Sequence, residues 1–286
     1  PEVVIAGELS AFDLDGTMVA AAERPGFKEL ARRASTRPFF PRPLRVHSAE
    51  RVEEVILDAH QPYLAHHRIG TTPILPAVIG TELLFELAQE GSPASLRDLH
   101  IRQPLKLAEG ARLPIVVQKD GDRLSLLATV RRPDGVVMEP GRVFFEAFRA
   151  EVRAPIRVLA SGQGDLVPYP YPAVPDPTPA SRLVFHDTCF RTLLGVRPGT
   201  HGGTASLLAP DPSALIPGSD PGRWALPAAV LDGCLQAIGL LGRLLYGTFA
   251  LPAGFGRLDV DPEQLPRAGE RLEAAIQFLA HEPTRV

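Results

Sequence analysis

Two kinds of hydrophobic patterning alternate along this chain. Apolar and polar positions take turns over 113-LPIVVQKD-120, 123-RLSLLATVRR-132 and 143-VFFEAFRAEVR-153. A period of two predicts strands. The turns 120-DGD-122 and 134-DGV-136 carry hairpin chemistry, so 111–153 reads as an antiparallel meander. Before it the period changes. Val78, Leu83, Leu84, Leu87 and Ala88 mark one face of a helix predicted over 77–90.

The same order then recurs. Residues 182–208 read as strands joined by 198-PGTHGG-203. A second helix is predicted over 227–246, with Val230, Cys234, Ile238, Leu241 and Leu245 on one face. More strands follow from 255. Each half is thus strands, one long apolar helix, then antiparallel strands: an α+β chain with one central helix per half. A sheet curved around one buried helix is a hot-dog fold, and two in one chain make a double hot-dog.

Proline placement sets the boundaries. The chain has 286 residues and 30 prolines, about twice the usual share, and they break helices and central strands. The densest run, 163-QGDLVPYPYPAVPDPTPAS-181, reads as an extended linker. The expected division is an N-terminal segment 1–44, a first half 45–153, a Pro-rich linker 154–181 and a second half 182–286. The second half looks short of its last strands. The chain opens on Pro1 and ends at Val286 without a closing element, so an excised piece of a longer polypeptide is expected.

Charge and composition exclude some functions. A net charge of −3 gives no basic footprint for nucleic acid. Cys189 and Cys234 are too few for a disulfide framework or a cysteine-rich metal site, which fits a reducing compartment. The longest apolar stretch, 225–245, is broken by Asp232, Gln236 and Arg243, so no membrane span is expected.

The candidate chemistry sits at the two helices. His66 and His67 precede the first. Asp232 and Gln236 lie four apart on the second, one turn, so they share a face. A carboxylate on an apolar helix is expected to be desolvated, with a raised pKa that keeps it protonated near neutrality. An imidazole beside it would stay neutral and act as a base. One base and one acid suit proton removal at one carbon and protonation of a leaving hydroxyl. Gln236 would orient Asp232.

These residues resemble the dehydratase domain of polyketide synthases, and the related dehydratases of polyunsaturated fatty acid synthases. That family carries His-xxx-Gly-xxxx-Pro at the first helix, matched by 67-HRIGTTPILP-76 with Pro76 as anchor. Its Asp-xxx-Gln/His motif is matched by 232-DGCLQ-236. Its Gly-Tyr-x-Tyr-Gly-Pro-x-Phe region corresponds to 185-FHDTCFRTLLGV-196, and its Leu-Pro-x-x-Ile-Gly-Arg to 251-LPAGFGR-257. The resemblance spans about 45–286. It departs from the pattern at Thr71, where the glycine is expected and Gly70 stands one place early. It departs again at His186, Asp187 and Thr188, where Tyr-Gly-Pro is usual.

The resemblance implies a double hot-dog that removes water from a β-hydroxyacyl thioester on an acyl carrier protein. His67 would be the base and Asp232 the acid, with Gln236 and His186 in support. Gly70, Thr71, Pro76 and Phe190 would line the substrate, and a backbone N–H near Thr71 would meet the thioester carbonyl. No cofactor or metal of the domain's own is implied; the phosphopantetheine arm comes with the carrier. Neighbouring synthase domains such as a ketoreductase, whose tail 1–44 resembles, are implied partners. A homodimer and a cytoplasmic setting are implied too. A non-catalytic domain, or an isomerase or cyclase using the same His/Asp pair, is the alternative on this scaffold.

A competing string stands at the start. In 12-FDLDGTMV-19, Asp13 and Asp15 resemble the nucleophile motif of haloacid-dehalogenase-type phosphatases. The chain beyond it is Pro-rich and antiparallel rather than alternating α/β, so an Asp-Gly turn is expected there. His201 reads as a loop residue, Cys234 as core, Arg191 as surface or carrier-facing, and Trp224 as core or tunnel wall.

Overall fold

The computed structural model describes residues 38–40, 50–89, 94–131, 135–152, 164–174, 184–220, 223–247, 251–261 and 264–278. The 12–19 string, nearly all of the 1–44 segment, much of 154–181 and the last residues lie outside the described residues.

The elements run β1 (Glu50–Asp58), α1 (Pro62–Ala65), β2 (His67–Ile69), β3 (Thr72–Pro73), α2 (Ala77–Gln89), β4 (Ser95–Ile101), β5 (Arg112–Asp120), β6 (Arg123–Arg131) and β7 (Val137–Ala150). Then come β8 (Val167–Pro168), β9 (Val184–His186), a 3-10 turn Thr188–Phe190, β10 (Leu193–Gly199), β11 (Gly202–Leu208), a second 3-10 turn Pro212–Ala214, α3 (Ala228–Tyr246), β12 (Gly254–Leu258) and β13 (Arg271–Gln277). Among the described residues all pairings are antiparallel, in three sheets ordered β1-β5-β6-β7-β4-β12, β13-β11-β10-β8 and β3-β2-β9.

The two central helices are the expected ones. In α2 every residue from Val78 to Gln89 is buried, because strands β4 to β7 lie against it and α3 packs alongside. Pro76 starts it: the Pro76 carbonyl accepts from the amides of Ile79 and Gly80 at 3.1 Å each. Helix α3 puts Val230, Cys234, Ala237 and Leu241 onto β10, β11 and β13, in a core with Leu193, Val196, Leu207 and Leu272. Its other side, through Ala228, Ala229 and Leu231, joins the core around α2. Gly247, in the left-handed region at φ 72°, ends α3 and donates to the Arg243 carbonyl. The fold is a double hot-dog.

The sheets cross the expected division in two places. The Pro-rich segment is not only a linker. Val167 and Pro168 form the edge strand β8 on β10, a position proline tolerates. Strand β12 does not join the second sheet but closes the edge of the first, with Phe255 opposite Leu99 and Leu258 opposite Leu96. By length and composition α3 could cross a membrane, but 67% of its most apolar window is buried in the fold, as a core helix would be.

Candidate active site

Strand register brings the first pieces together. In the small sheet, β2 pairs with β9 so that His67 stands opposite His186. Their rings meet edge to face with centroids 5.2 Å apart. Phe190, at the end of the 3-10 turn, lies edge-on to His67 at 5.5 Å and to His186 at 6.3 Å. Asp187 starts that turn by accepting from the Thr188 amide at 2.7 Å, and its own amide donates to the His66 carbonyl at 2.9 Å.

Helix α3 supplies the rest. Asp232 Oδ2 lies 3.2 Å from His186 Nε2 and accepts from Gln236 Nε2 at 2.7 Å. Gln236 Nε2 also donates to the Phe190 carbonyl at 3.0 Å. One amide thus fixes the carboxylate to the turn carrying Phe190. His67, His186, Asp232 and Gln236 are all buried.

The tautomer of His67 is set by its partner. Nδ1 lies 2.9 Å from the Ile74 carbonyl, which can only accept, so Nδ1 carries the proton and Nε2 keeps its lone pair. Burial pushes the His67 pKa down to about 4, against the pull of the Asp232 carboxylate. The ring is therefore neutral at physiological pH and basic at Nε2.

Asp232 departs from expectation. Burial alone would raise its pKa, as anticipated. The charge and hydrogen bond of His186, aided by His67 and Gln236, outweigh that and hold the carboxyl below its ordinary range. The resting carboxylate is ionised rather than protonated. The sequence shows the apolar helix but not the imidazole 3.2 Å away.

Comparison with known proteins bears on the fold around this site. Residues 38–129 match the family model of the polyketide synthase dehydratase domain. Among solved structures, the dehydratase domain from the CurF module of the curacin polyketide synthase is 12% identical, with a TM-score of 0.57, covering 79% of this chain and 82% of that one. The dehydratase domain of PpsC from Mycobacterium tuberculosis, in complex with C12:1-CoA, is 20% identical with a TM-score of 0.53, covering 74% and 77%. A trans-acyltransferase polyketide synthase enoyl-isomerase is 12% identical with a TM-score of 0.51, covering 72% and 79%. No curated protein matches the chain. Residues 38–129 thus match the polyketide synthase dehydratase family, and the rest of the chain shares its fold with solved dehydratase domains.

The other residues singled out in the sequence take varied places. Gly70 and Thr71 form the two-residue tip of the β2–β3 hairpin, where Arg68 pairs with Pro73 and Ile69 with Thr72. Gly70 sits at φ 57°, so the glycine one place early is the one this turn requires. Thr71 is exposed there, whereas Pro76 is buried at the foot of α2. Cys234 is core. His201 is exposed at the β10–β11 turn. Arg191 is engaged by Asp187 at 3.5 Å and by the Pro172 carbonyl at 3.3 Å. Trp224 is buried edge-on to Phe39 and borders a cavity with Leu226 and Ala229.

Two supports carry no motif in the sequence. Tyr171, from the Pro-rich segment, has its hydroxyl 2.9 Å from the Leu193 amide, which donates to it, and 3.5 Å from the Phe190 carbonyl. Tyr169 packs on Tyr171, and burial with the nearby Asp232 charge pushes its pKa up to about 12. The signal was the spacing in 167-VPYPYP-172. Glu82, fully buried on α2, accepts from the amides of Ala225 and Leu226 at 2.7 and 2.8 Å. It anchors the chain just ahead of α3 and so sets where Asp232 comes to rest. Its signal was an acidic residue set directly against Leu83, Leu84 and Phe85 in a helix that is buried along nearly its whole length.

Proposed function

We propose that the domain removes water from a β-hydroxyacyl thioester borne by an acyl carrier protein, giving an α,β-unsaturated thioester. The supporting observation is the pairing of a neutral, basic imidazole with an acid–base pair across one small space. His67 Nε2 takes the α-proton. Asp232 faces the departing β-hydroxyl, and the proton it delivers is relayed from His186. The C–O bond breaks as the α,β double bond forms, and water leaves. The proton then held by His67 returns to the Asp232–His186 pair. Gln236 and the Ile74 carbonyl keep the carboxylate and the ring in register, and positioned general acids and bases contribute about 10²–10⁴-fold each.

Carrier-bound 3-hydroxyacyl thioesters incubated with the purified domain, followed by intact mass, test this. Loss of water is expected, and it should fall by roughly 10²-fold or more in His67→Ala and in Asp232→Asn. Water loss surviving in both variants would remove these residues from the chemistry. No water loss across the chain-length panel, with no reverse hydration, would make the domain non-catalytic. Conversion of an enoyl thioester without water exchange would instead mark a double-bond isomerase using the same proton transfers.

A further inference from the structure

His67, His186 and Asp232 each offer one ligand atom, and the three atoms lie within 4.8 Å of one another. Two nitrogens and one carboxylate oxygen form a donor set that suits divalent transition ions. Around a tetrahedral ion with bonds of about 2.0–2.2 Å, ligand atoms stand roughly 3.4 Å apart. The His186–Asp232 separation of 3.2 Å already meets that spacing, and His67 has to close by about 1.4 Å at most.

The surroundings also match those of metal ligands. Such a histidine almost always donates its second ring N–H to a carbonyl or carboxylate, which fixes the ring. His67 does this with the Ile74 carbonyl, leaving Nε2 as the free donor atom. Asp232 is held by Gln236. His186 turns Nε2 toward Asp232, and its buried Nδ1 has no hydrogen-bond partner among the described residues, so this ring is held by that contact and by packing alone. His186 is also the residue at which this chain departs from the dehydratase pattern, and a tyrosine there would leave only two of the three ligands.

We propose that this site binds a divalent transition ion, Zn²⁺ or Co²⁺, through His67 Nε2, a ring nitrogen of His186 and the Asp232 carboxylate. Binding occupies the lone pair of the base and the carboxylate of the acid pair. An occupied site is therefore blocked for proton transfer, and the ion acts as an inhibitor reversed by chelation. The binding itself is independent of the dehydratase reading, because it is measured without substrate.

The test uses the tag-free, chelator-treated domain titrated with Co²⁺, read by the visible absorption of four-coordinate cobalt, and with Zn²⁺ by calorimetry. Saturable one-to-one binding is expected, with Zn²⁺ displacing Co²⁺. His186→Tyr, Asp232→Asn and His67→Asn should each weaken it at least about 10-fold, as loss of even supporting contacts does at such sites. His201→Asn, at an exposed turn, should bind as the parent does. Circular dichroism and urea midpoints establish that each variant is folded before titration, and the three ligand variants serve as replicates of one another. Absence of one-to-one binding by the parent would overturn the proposal. So would equal affinity in the folded ligand variants. Either result leaves metal-free dehydration to be judged by its own assay.

Discussion

Replacing Gly233 with alanine sets helix propensity against packing. In an unconstrained helix the change stabilises by about 1 kcal/mol. Gly233 follows Asp232 on α3, and a Cβ there would lie 2.1 Å from Thr192 Oγ1 and 2.8 Å from Leu207 Cδ2. Neither neighbour can swing into open space. Thr192 is buried with its hydroxyl donating to the Ala229 carbonyl at 3.1 Å, and Leu207 is fully buried beneath the helix. Overpacking of this kind costs about 1–3 kcal/mol, and the displaced hydroxyl bond about 1 kcal/mol more. After the propensity gain, a net loss of about 2 kcal/mol is expected. In urea, with a slope near the upper end for small domains, the midpoint should drop by roughly 0.8 M at unchanged slope. The same helix movement displaces Asp232 from His186 and slows turnover. Thr192→Ala removes the closest contact, so Gly233→Ala should cost less in that background, a coupling a double-mutant cycle reads directly. A Gly233→Ala variant as stable as its parent or more so, with no coupling to Thr192, would refute the packing of α3 on Thr192 and β11.

Two further outcomes stem from buried titratable side chains. Glu82→Gln keeps one acceptor for the Ala225 and Leu226 amides and sets an amide N–H against the other, so a loss of about 2 kcal/mol is expected in urea unfolding, with slower turnover as α3 loses its anchor. His67 has its folded pKa lowered to about 4 from 6.5, so the unfolded chain binds more protons between those values. Its contribution to stability is complete above pH 6.5 and is lost as pH falls toward 4, about 3 kcal/mol in all. Urea midpoints measured down this range should decline less steeply in His67→Asn than in the parent. Asp232, held below 3.8, contributes its own loss only under that window.

The long elements were legible because their signals are long. The helices predicted over 77–90 and 227–246 are Ala77–Gln89 and Ala228–Tyr246, since a 3.6-residue apolar period bounded by Pro76 and Pro227 leaves little freedom. The hairpin β5–β6 and the turn at Gly202 were equally plain. Strands β2, β3, β8 and β9 were not, because two or three residues show no period. The docking of β12 on β4 joins residues more than 150 positions apart, and no local pattern records such a pairing. Of the site, the sequence supplied His67 ahead of one helix and Asp232 and Gln236 on the other, and the family resemblance added His186. It supplied neither the 3.2 Å between His186 and Asp232 nor the Glu82 anchor, because both depend on how the halves dock.

That distance decides how the proton is stored. Asp232 is pushed up by burial and down mainly by His186. A tyrosine at 186 would leave burial as the leading influence on the carboxyl, so the Asp232 pKa should rise. Histidine reverses that balance and holds the carboxyl below its ordinary range. The exchange depends on register. The β2–β9 pair has only three rungs, Ile69 with Val184, Arg68 with Phe185 and His67 with His186. A slip of one residue would turn His186 to the opposite face and bring Phe185 or Asp187 to His67. The Asp187 amide on the His66 carbonyl adds a bond just beyond the last rung, and Phe190 wedges against both rings. A short strand held at both its end and its side thus fixes which residue faces Asp232, and through it the balance that sets the Asp232 pKa.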